Sequence, residues 1–336
     1  MSPLPPVSLR HLMHLMGPHG LFEHAETTTP RTEHGYCTDD NARLLVVTAR
    51  QPDTGDGAAL SRRALAFVLS ALVPDGRCHN RMDPSGAWTD EATTDDCWGR
   101  SLWALGVAST RHGDPTVRDE AMRGFTVAAA QSARSPRSMA FAALGAADVA
   151  SRDARNPAAV SILQRTMSTI GAIPSGAWCW PEPRLAYANA VLAEALIAAG
   201  STMRSAWDIE RGLRMLAWLM DRETKSGHLS VTPVGGSGPD DRGPQFDQQP
   251  IEAAALADAC ARAFEVTGDA MWTRGITAAA QWFVGANDAN LPMYDPTSFG
   301  GYDGLHEHAV NANQGAESTL AFVSTMQRAH AFVPSA

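Results

Sequence analysis

Residues 186–199 read Ala186-Tyr187-Ala188-Asn189-Ala190-Val191-Leu192-Ala193-Glu194-Ala195-Leu196-Ile197-Ala198-Ala199, and the reading of this stretch decides the fold. Apolar residues run almost all the way round the helix it would form, and most of them are small. A helix without a wet face must be buried, and alanine lets its neighbours approach closely. Trp98–Ala108, Met139–Val149, Ile251–Phe264 and Ala316–Met326 have the same character, and Asn41–Ala49 is a shorter member of the class. A second kind of segment lies between them. In Ala58–Leu72 the apolar Leu60, Ala64, Phe67, Val68 and Ala71 recur at helical spacing, with Arg62 and Arg63 on the other face. That pattern marks an amphipathic helix packed on one side only. Similar helices are expected over Thr116–Ala130, Ala158–Thr169, Ala206–Met220 and Met271–Val284, with a looser one over Leu9–Met16.

The two kinds alternate. The buried segments begin near Asp40, Asp96, Arg137, Ala186, Gln248 and Asn313, at separations of 56, 41, 49, 62 and 65 residues. Each interval has room for one helix pair with its loops, so the chain carries a degenerate repeat of helical hairpins. Six buried helices inside six amphipathic ones specify an all-α, (α/α)6 barrel, expected to span residues 1–336 as one domain. An open helical solenoid is the structural alternative. No stretch reads as an alternating strand.

Bulk properties narrow the partners. Hydrophobic residues make up 44% and charged residues 19%, enough for a sizeable core. The net charge of −9, without any run of Lys and Arg, argues against nucleic acid or an anionic membrane. No apolar run reaches the roughly 18 residues of a membrane span, and residues 1–20 lack a secretory apolar region. The five cysteines, Cys37, Cys78, Cys97, Cys179 and Cys260, are scattered and form no CxxC pair. This usage fits a reducing cytoplasm and suggests neither a disulfide framework nor a zinc site. Gly235-Gly236-Ser237-Gly238 lacks the lysine of a phosphate-binding loop, and His306-Glu307-His308 does not match the helical HExxH spacing. No cofactor or metal is therefore expected.

The loops before the buried helices differ from the rest of the chain. They contain 33–43 with His34, Tyr36, Asp39, Asp40 and Arg43; 88–100 with Trp88, Asp95, Asp96, Trp98 and Arg100; and 178–189 with Trp178, Trp180, Glu182, Arg184, Tyr187 and Asn189. Two more follow: 245–252 with Asp247, Gln248, Gln249 and Glu252, and 302–317 with Tyr302, Asp303, His306, Glu307, His308, Asn313, Gln314 and Glu317. In a ring of hairpins these loops emerge at one end and converge. Carboxylates, amides and arginines suit vicinal hydroxyls, while Trp and Tyr faces cover the C–H face of a sugar ring, so an oligosaccharide or sugar ligand is expected.

Glycoside cleavage needs two carboxyl groups about 5–5.5 Å apart for retention or about 6.5–9.5 Å for inversion. Asp40, Asp96, Glu182, Asp247, Glu252, Asp303, Glu307 and Glu317 are the candidates, with Asp40, Asp96, Glu182, Asp303 and Glu317 foremost. The first Asp of each Thr-Asp-Asp (Asp39, Asp95) also fits a helix cap. The second Asp adjoins the cleft, where the helix terminus favours its ionised form and hence a base. Glu182, between Pro181 and Pro183 and beside Trp178 and Trp180, has the most apolar setting, which suits an acid. Glu252 and Glu317 lie in apolar helices and read equally as buried structural acids. His34, His306 and His308 could instead serve as proton-transfer groups.

Gly20-Leu21-Phe22-Glu23-His24-Ala25, Tyr36-Cys37-Thr38-Asp39-Asp40-Asn41-Ala42-Arg43, Leu185-Ala186-Tyr187-Ala188-Asn189-Ala190 and Asn313-Gln314-Gly315-Ala316-Glu317-Ser318-Thr319 carry a resemblance across essentially the whole chain. The sequence resembles helical toroid domains of carbohydrate metabolism that neighbour, or are fused to, a glycosyltransferase. More distantly it is similar to inverting glycoside hydrolases, unsaturated glucuronyl hydrolases and the N-acylglucosamine 2-epimerase group. The resemblance implies the toroid, a sugar-related role and a glycosyltransferase as possible partner; neither a catalytic pair nor the epimerase histidines align. Three functions are thus expected in descending order: a glycoside hydrolase or phosphorylase acting on a short oligosaccharide, a non-catalytic sugar-binding partner of a glycosyltransferase, and a sugar isomerase or epimerase.

Overall fold

The computed structural model describes residues 4–51 and 55–333. Twelve helices account for most of these residues: α1 Arg10–Leu15, α2 Thr38–Ala49, α3 Gly55–Ala71, α4 Asp96–Arg111, α5 Pro115–Ala128, α6 Pro136–Arg152, α7 Pro157–Thr169, α8 Ala190–Met203, α9 Ala206–Arg222, α10 Pro250–Thr267, α11 Met271–Phe283 and α12 Ala316–Phe332. The even-numbered helices pack side by side in the order α2, α4, α6, α8, α10, α12, and α12 returns to α2. This closed inner ring rules out the open solenoid. Each odd-numbered helix packs outside the inner helix that precedes it, and α1 completes the outer ring against α12. The chain is an (α/α)6 barrel.

Local chemistry starts these helices where the alternation requires. Asp114, Ser135, Asn156 and Ser205 cap α5, α6, α7 and α9 through their side chains, and Pro115, Pro136 and Pro157 occupy first turns, where a missing N–H costs nothing. Glycines set the closest approach in the inner ring. A Cβ on Gly99 would stand 2.2 Å from Ser138 O, and one on Gly145 2.0 Å from Leu102 O, so α4 and α6 meet backbone to backbone.

Helix α8 begins at Ala190, four residues beyond the expected start at Ala186. Residues 186–189 form a turn instead, with Ala188 at φ 44°. Asn189 Oδ1 accepts from Ala186 N at 2.9 Å, and the Glu252 carboxylate accepts from the N–H groups of Ala188 and Asn189.

The two ends of the barrel differ. At one end the connections from inner to outer helices are short. At the other lie the long segments 72–95, 170–189, 223–249 and 284–315, with a short 129–135 between α5 and α6. Two-residue antiparallel pairs knit this end together. Strand β3 (Tyr36–Cys37) pairs with β4 (Arg81–Met82), and β7 (Gly304–Leu305) with β8 (Val310–Asn311); pairs β1 (Ala25–Glu26)–β2 (Thr29–Pro30) and β5 (Thr224–Lys225)–β6 (His228–Leu229) are hairpins. Among the described residues no helix is long and apolar enough to cross a membrane.

Candidate active site

A polar funnel of ≈ 340 Å³ opens among the long loops. Its walls come from the loops leading into α2, α4, α10 and α12: Asp39, Asp40 and Arg43 on α2, Arg100 on α4, Asp247 and Gln249 before α10, Asp303 before β7, and Glu317 on α12. These eight were singled out from the sequence, and the fold brings them together. Glu23, His24, Cys37, Arg81, Asn311, Gly315 and Ser318 complete the wall and were not. Glu23 and His24 stand ten residues before the Glu33-His34-Gly35-Tyr36 stretch, and only the resemblance segment Gly20–Ala25 draws attention to them in the sequence.

Two charge networks organise the funnel. Arg43 spans Asp40 (Nη1–Oδ1 2.5 Å) and Glu317 (Nη2–Oε2 2.7 Å). Arg100 holds Asp39 at 2.7 Å, stands 3.5 Å from Asp96 and lies with its guanidinium 4.5 Å over the Phe141 ring. Asn80 Nδ2 donates to Asp39 Oδ2 at 3.1 Å. Cys37 Sγ donates to Asp40 Oδ2 at 3.1 Å, and Asp303 Oδ1 accepts from Ser318 Oγ and Gly315 N.

The neighbouring aspartates are driven in opposite directions. Burial alone would raise Asp39, but Arg100 and Arg43 hold it below the usual carboxylate range. Asp40, 2% exposed, is pushed by burial up to about 7 even against Arg43, with Glu317 and Glu23 adding repulsion. The expectation that a second Asp at a helix start would serve as a base is therefore corrected for Asp40. Loss of water at the floor of the funnel outweighs the helix terminus. Capping is corrected as well: Asp39 turns to Arg100, and neither Asp39 nor Asp95 makes a side-chain cap bond.

Several expected site residues do structural work elsewhere. Glu182 is held by Arg137 at 2.6 Å and by Trp180 Nε1 at 3.3 Å, outside the funnel, so its setting is ionic rather than apolar. Trp98 and Trp180 are fully buried, and Tyr36 lies against Phe22, so none of the three offers a face to a ligand. Trp178 packs edge-on to Trp218, Trp88 lies against His79 and Phe67, and Tyr302 is half-buried against the core. Gln248 bonds Asp288 and Trp282, Gln314 bonds Ser298 and Asp295, Asn313 accepts from Thr27 N, and Arg184 reaches Asp241. Glu252 and Asn189 bond each other in the turn before α8. Asp95 is exposed, as are His34 and the His306, Glu307 and His308 of the β7–β8 connection; none of these five lines the funnel. Asp96 sits beside it, accepting from Tyr187 Oη at 2.8 Å, and Tyr187 is 45% exposed with Arg137 4.8 Å over its ring. Tyr187 also lies within electrostatic range of Arg100.

Beneath the funnel a second, mostly apolar space of ≈ 50 Å³ lies among the inner helices. Arg43 and Glu317 line both spaces, and Trp103 and Phe141 form part of the lower wall. Trp103 was missed, though its place three residues after Arg100 on α4 puts both on one face.

One group among the described residues, Glu23, Cys37 and Asp40, has its ligand atoms within 4.8 Å of one another. Arg81 occupies Glu23, Arg43 occupies Asp40, and burial holds the Cys37 thiol well above its usual range. The donors are thus engaged with cations or protonated, which is a poor setting for a metal.

No protein-family model matches the chain, and no curated protein matches it in sequence. Solved structures do match its shape. A D-mannose isomerase superposes with TM-score 0.67 at 12% identity, covering 96% of this chain and 94% of the other. The cellobiose 2-epimerase from Spirochaeta thermophila gives 0.67 at 10% identity over 97% and 94%. The cellulase Cel9M of C. cellulolyticium in complex with cellobiose gives 0.62 at 7% identity over 94% and 88%. At such identities the likeness shows the shared barrel.

Proposed function

We propose that this chain is a carbohydrate-active enzyme, a glycoside hydrolase (or a phosphorylase using the same site) that acts on a short oligosaccharide. The observation that supports the reading is the carboxyl arrangement of the funnel: Asp40 driven toward its protonated form, Asp39 toward its ionised form, and Glu317 tied to Asp40 through Arg43. Asp40, kept protonated toward neutrality, is the funnel carboxyl suited to be the acid. Asp40 donates its proton to the leaving glycosidic oxygen. Glu317, with its side chain 44% exposed in the funnel, takes the proton of the attacking water. Asp39, Arg100 and Asp303 hold sugar hydroxyls, and Tyr187 offers a ring face at the rim. The matching structures include a cellulase with bound cellobiose, so this barrel accommodates such chemistry.

An isomerase or epimerase is the second reading. The observation favouring it is His24, which lines the funnel within electrostatic range of Asp303. Against it, the inner-helix starts facing the funnel carry Asp39, Asp40 and Glu317 and no histidine. A cytoplasmic location accords with five free cysteines, all buried. A glycosyltransferase partner rests on family resemblance alone.

Incubation with mannose-, glucose- and glucuronate-containing oligosaccharides, with and without phosphate and followed by proton NMR, tests the reading. A new reducing end or a sugar phosphate is expected. Deuterium entering a monosaccharide from solvent without cleavage would transfer the assignment to isomerisation. Bound but unchanged sugar would leave the non-catalytic partner.

A further inference from the structure

The lower space has features that the proposed acid and base do not use. Its walls are apolar, from Val46, Val47, Leu144, Val191 and Leu320 among others, while Glu194, Asp258 and Ser324 lie at its polar limit. Asp258 is fully engaged, with Arg50 at 3.0 Å and Arg328 at 2.5 Å, and Ser324 accepts from Arg50 at 2.8 Å. Glu194 is different. It is 3% exposed, yet among the described residues its carboxyl makes no hydrogen bond, and the nearest cation, Arg262 Nε, stands at 3.8 Å. That Arg262 Nε is itself buried without a hydrogen-bond partner. A carboxyl that lines this space without a hydrogen bond from the protein is free to bond whatever enters it.

Size limits what that can be. A water-sized group needs about 10–15 Å³ of such volume, so ≈ 50 Å³ holds roughly three to five of them. A sugar ring does not fit, but a short branch from one does. The space shares Arg43 and Glu317 with the funnel, so the branch enters directly below the carboxyls that act on the sugar. The Arg50–Asp258–Arg328 network closes the inner end.

We propose that this well is a subsite for the hydroxymethyl arm of a neutral hexose, with apolar walls around its CH₂ group and Glu194 bonding its hydroxyl. The proposal rests on the sugar reading above. Burial beside Asp258 pushes Glu194 up to about 7, so near neutrality the group is available both to donate and to accept. A carboxylate arm would meet Glu194 and Asp258, whose arginines Arg50 and Arg328 are already committed. A methyl arm would leave Glu194 unbonded, and a pentose would leave the well empty.

The test uses the full chain and two matched series of methyl glycosides, gluco and manno, each with the hexoside, its 6-deoxy form, the corresponding pentoside and the uronide. Affinities are read by ligand-observed NMR. In the series that binds, the hexoside should be tighter than its 6-deoxy and pentose counterparts by about ten-fold or more, the scale of one hydrogen bond to a buried group, with the uronide weakest. Glu194→Gln should keep that order. Glu194→Leu should reverse it in favour of the 6-deoxy sugar, and wild type and Glu194→Gln suffice if this variant does not fold. Equal binding of hexoside and pentoside by wild type would overturn the subsite and leave the sugar reading intact. Binding by no member of either series would remove both.

Discussion

The Cys37 thiol donates to Asp40 Oδ2 at 3.1 Å, while Arg43 takes Oδ1 at 2.5 Å. A thiol is a weak donor, so this bond orients the carboxyl while favouring its ionised form only slightly. If Asp40 is the acid, kcat/KM is maintained at low pH on this limb and falls as pH rises through about 7. Cys37→Ser supplies a stronger donor and should move that alkaline limb to lower pH. Cys37→Ala removes the donor and should move it to higher pH. A limb that stays in place in both variants would detach Cys37 from the titration of Asp40.

The same proton makes stability depend on pH. The unfolded chain releases it near the ordinary value of 3.8, whereas the folded protein retains it to about 7. Between those values the folded state binds more protons, so this group's contribution to stability falls as pH rises across the window. Urea denaturation of wild type and Asp40→Asn should therefore show wild type losing ground to the variant between pH 4 and 7. A constant difference across that range would contradict the raised Asp40.

Arg43 joins two acids from different inner helices, and its removal leaves both without their cation. In chemical denaturation at alkaline pH, above the value of about 7 at which Asp40 ionises, Arg43→Met should cost about 3–5 kcal/mol, the scale of breaking a buried ion pair. Adding Asp40→Asn should recover part of that loss, because the buried acid then carries no charge. Additive losses in the double variant would show that the two residues do not act together.

Glu182 separates the structure's account from the simplest reading of the sequence. Bound by Arg137 and Trp180, it should be structural. Glu182→Gln should lower stability by about 1.5–3 kcal/mol, as for a charged hydrogen bond, and leave turnover within a few-fold of wild type. Loss of turnover in a well-folded variant would return the acid to Glu182.

The barrel was legible because burial pattern and spacing repeat, and those properties are local. The Ala-rich stretch around Leu192 must be buried wherever it goes, and Leu60, Ala64, Phe67 and Val68 can bury only one side. The convergence of Asp39, Asp40, Asp303 and Glu317 followed from the same topology. Their electrical roles did not, because these depend on which arginine reaches which acid across the ring. Arg100 reaching Asp39 and Arg137 reaching Glu182 are long-range pairings that spacing does not encode. The aromatic residues misled for a related reason. Trp180 sits in a polar loop by sequence and Trp98 at the start of a helix just after one, yet both turn inward to fill the core, while Trp103, further along the same apolar helix as Trp98, faces the axial well.

Close packing of the inner ring makes its own prediction. A methyl group on Gly145 would press into the backbone of α4, where nothing can move aside cheaply. Gly145→Ala should destabilise the barrel by about 1–3 kcal/mol, the usual range for overpacking, despite alanine's better helix propensity. An unchanged unfolding midpoint would mean that α4 and α6 stand further apart.

The most direct test of the catalytic assignment compares leaving groups. On whichever glycoside wild type cleaves, Asp40→Asn should lose about 10²–10⁴-fold in kcat/KM, the usual contribution of a general acid. On the dinitrophenyl glycoside of the same sugar, whose leaving group needs no proton, the variant should stay close to wild type. Equal losses on both substrates, or no loss on either, would contradict Asp40 as the acid.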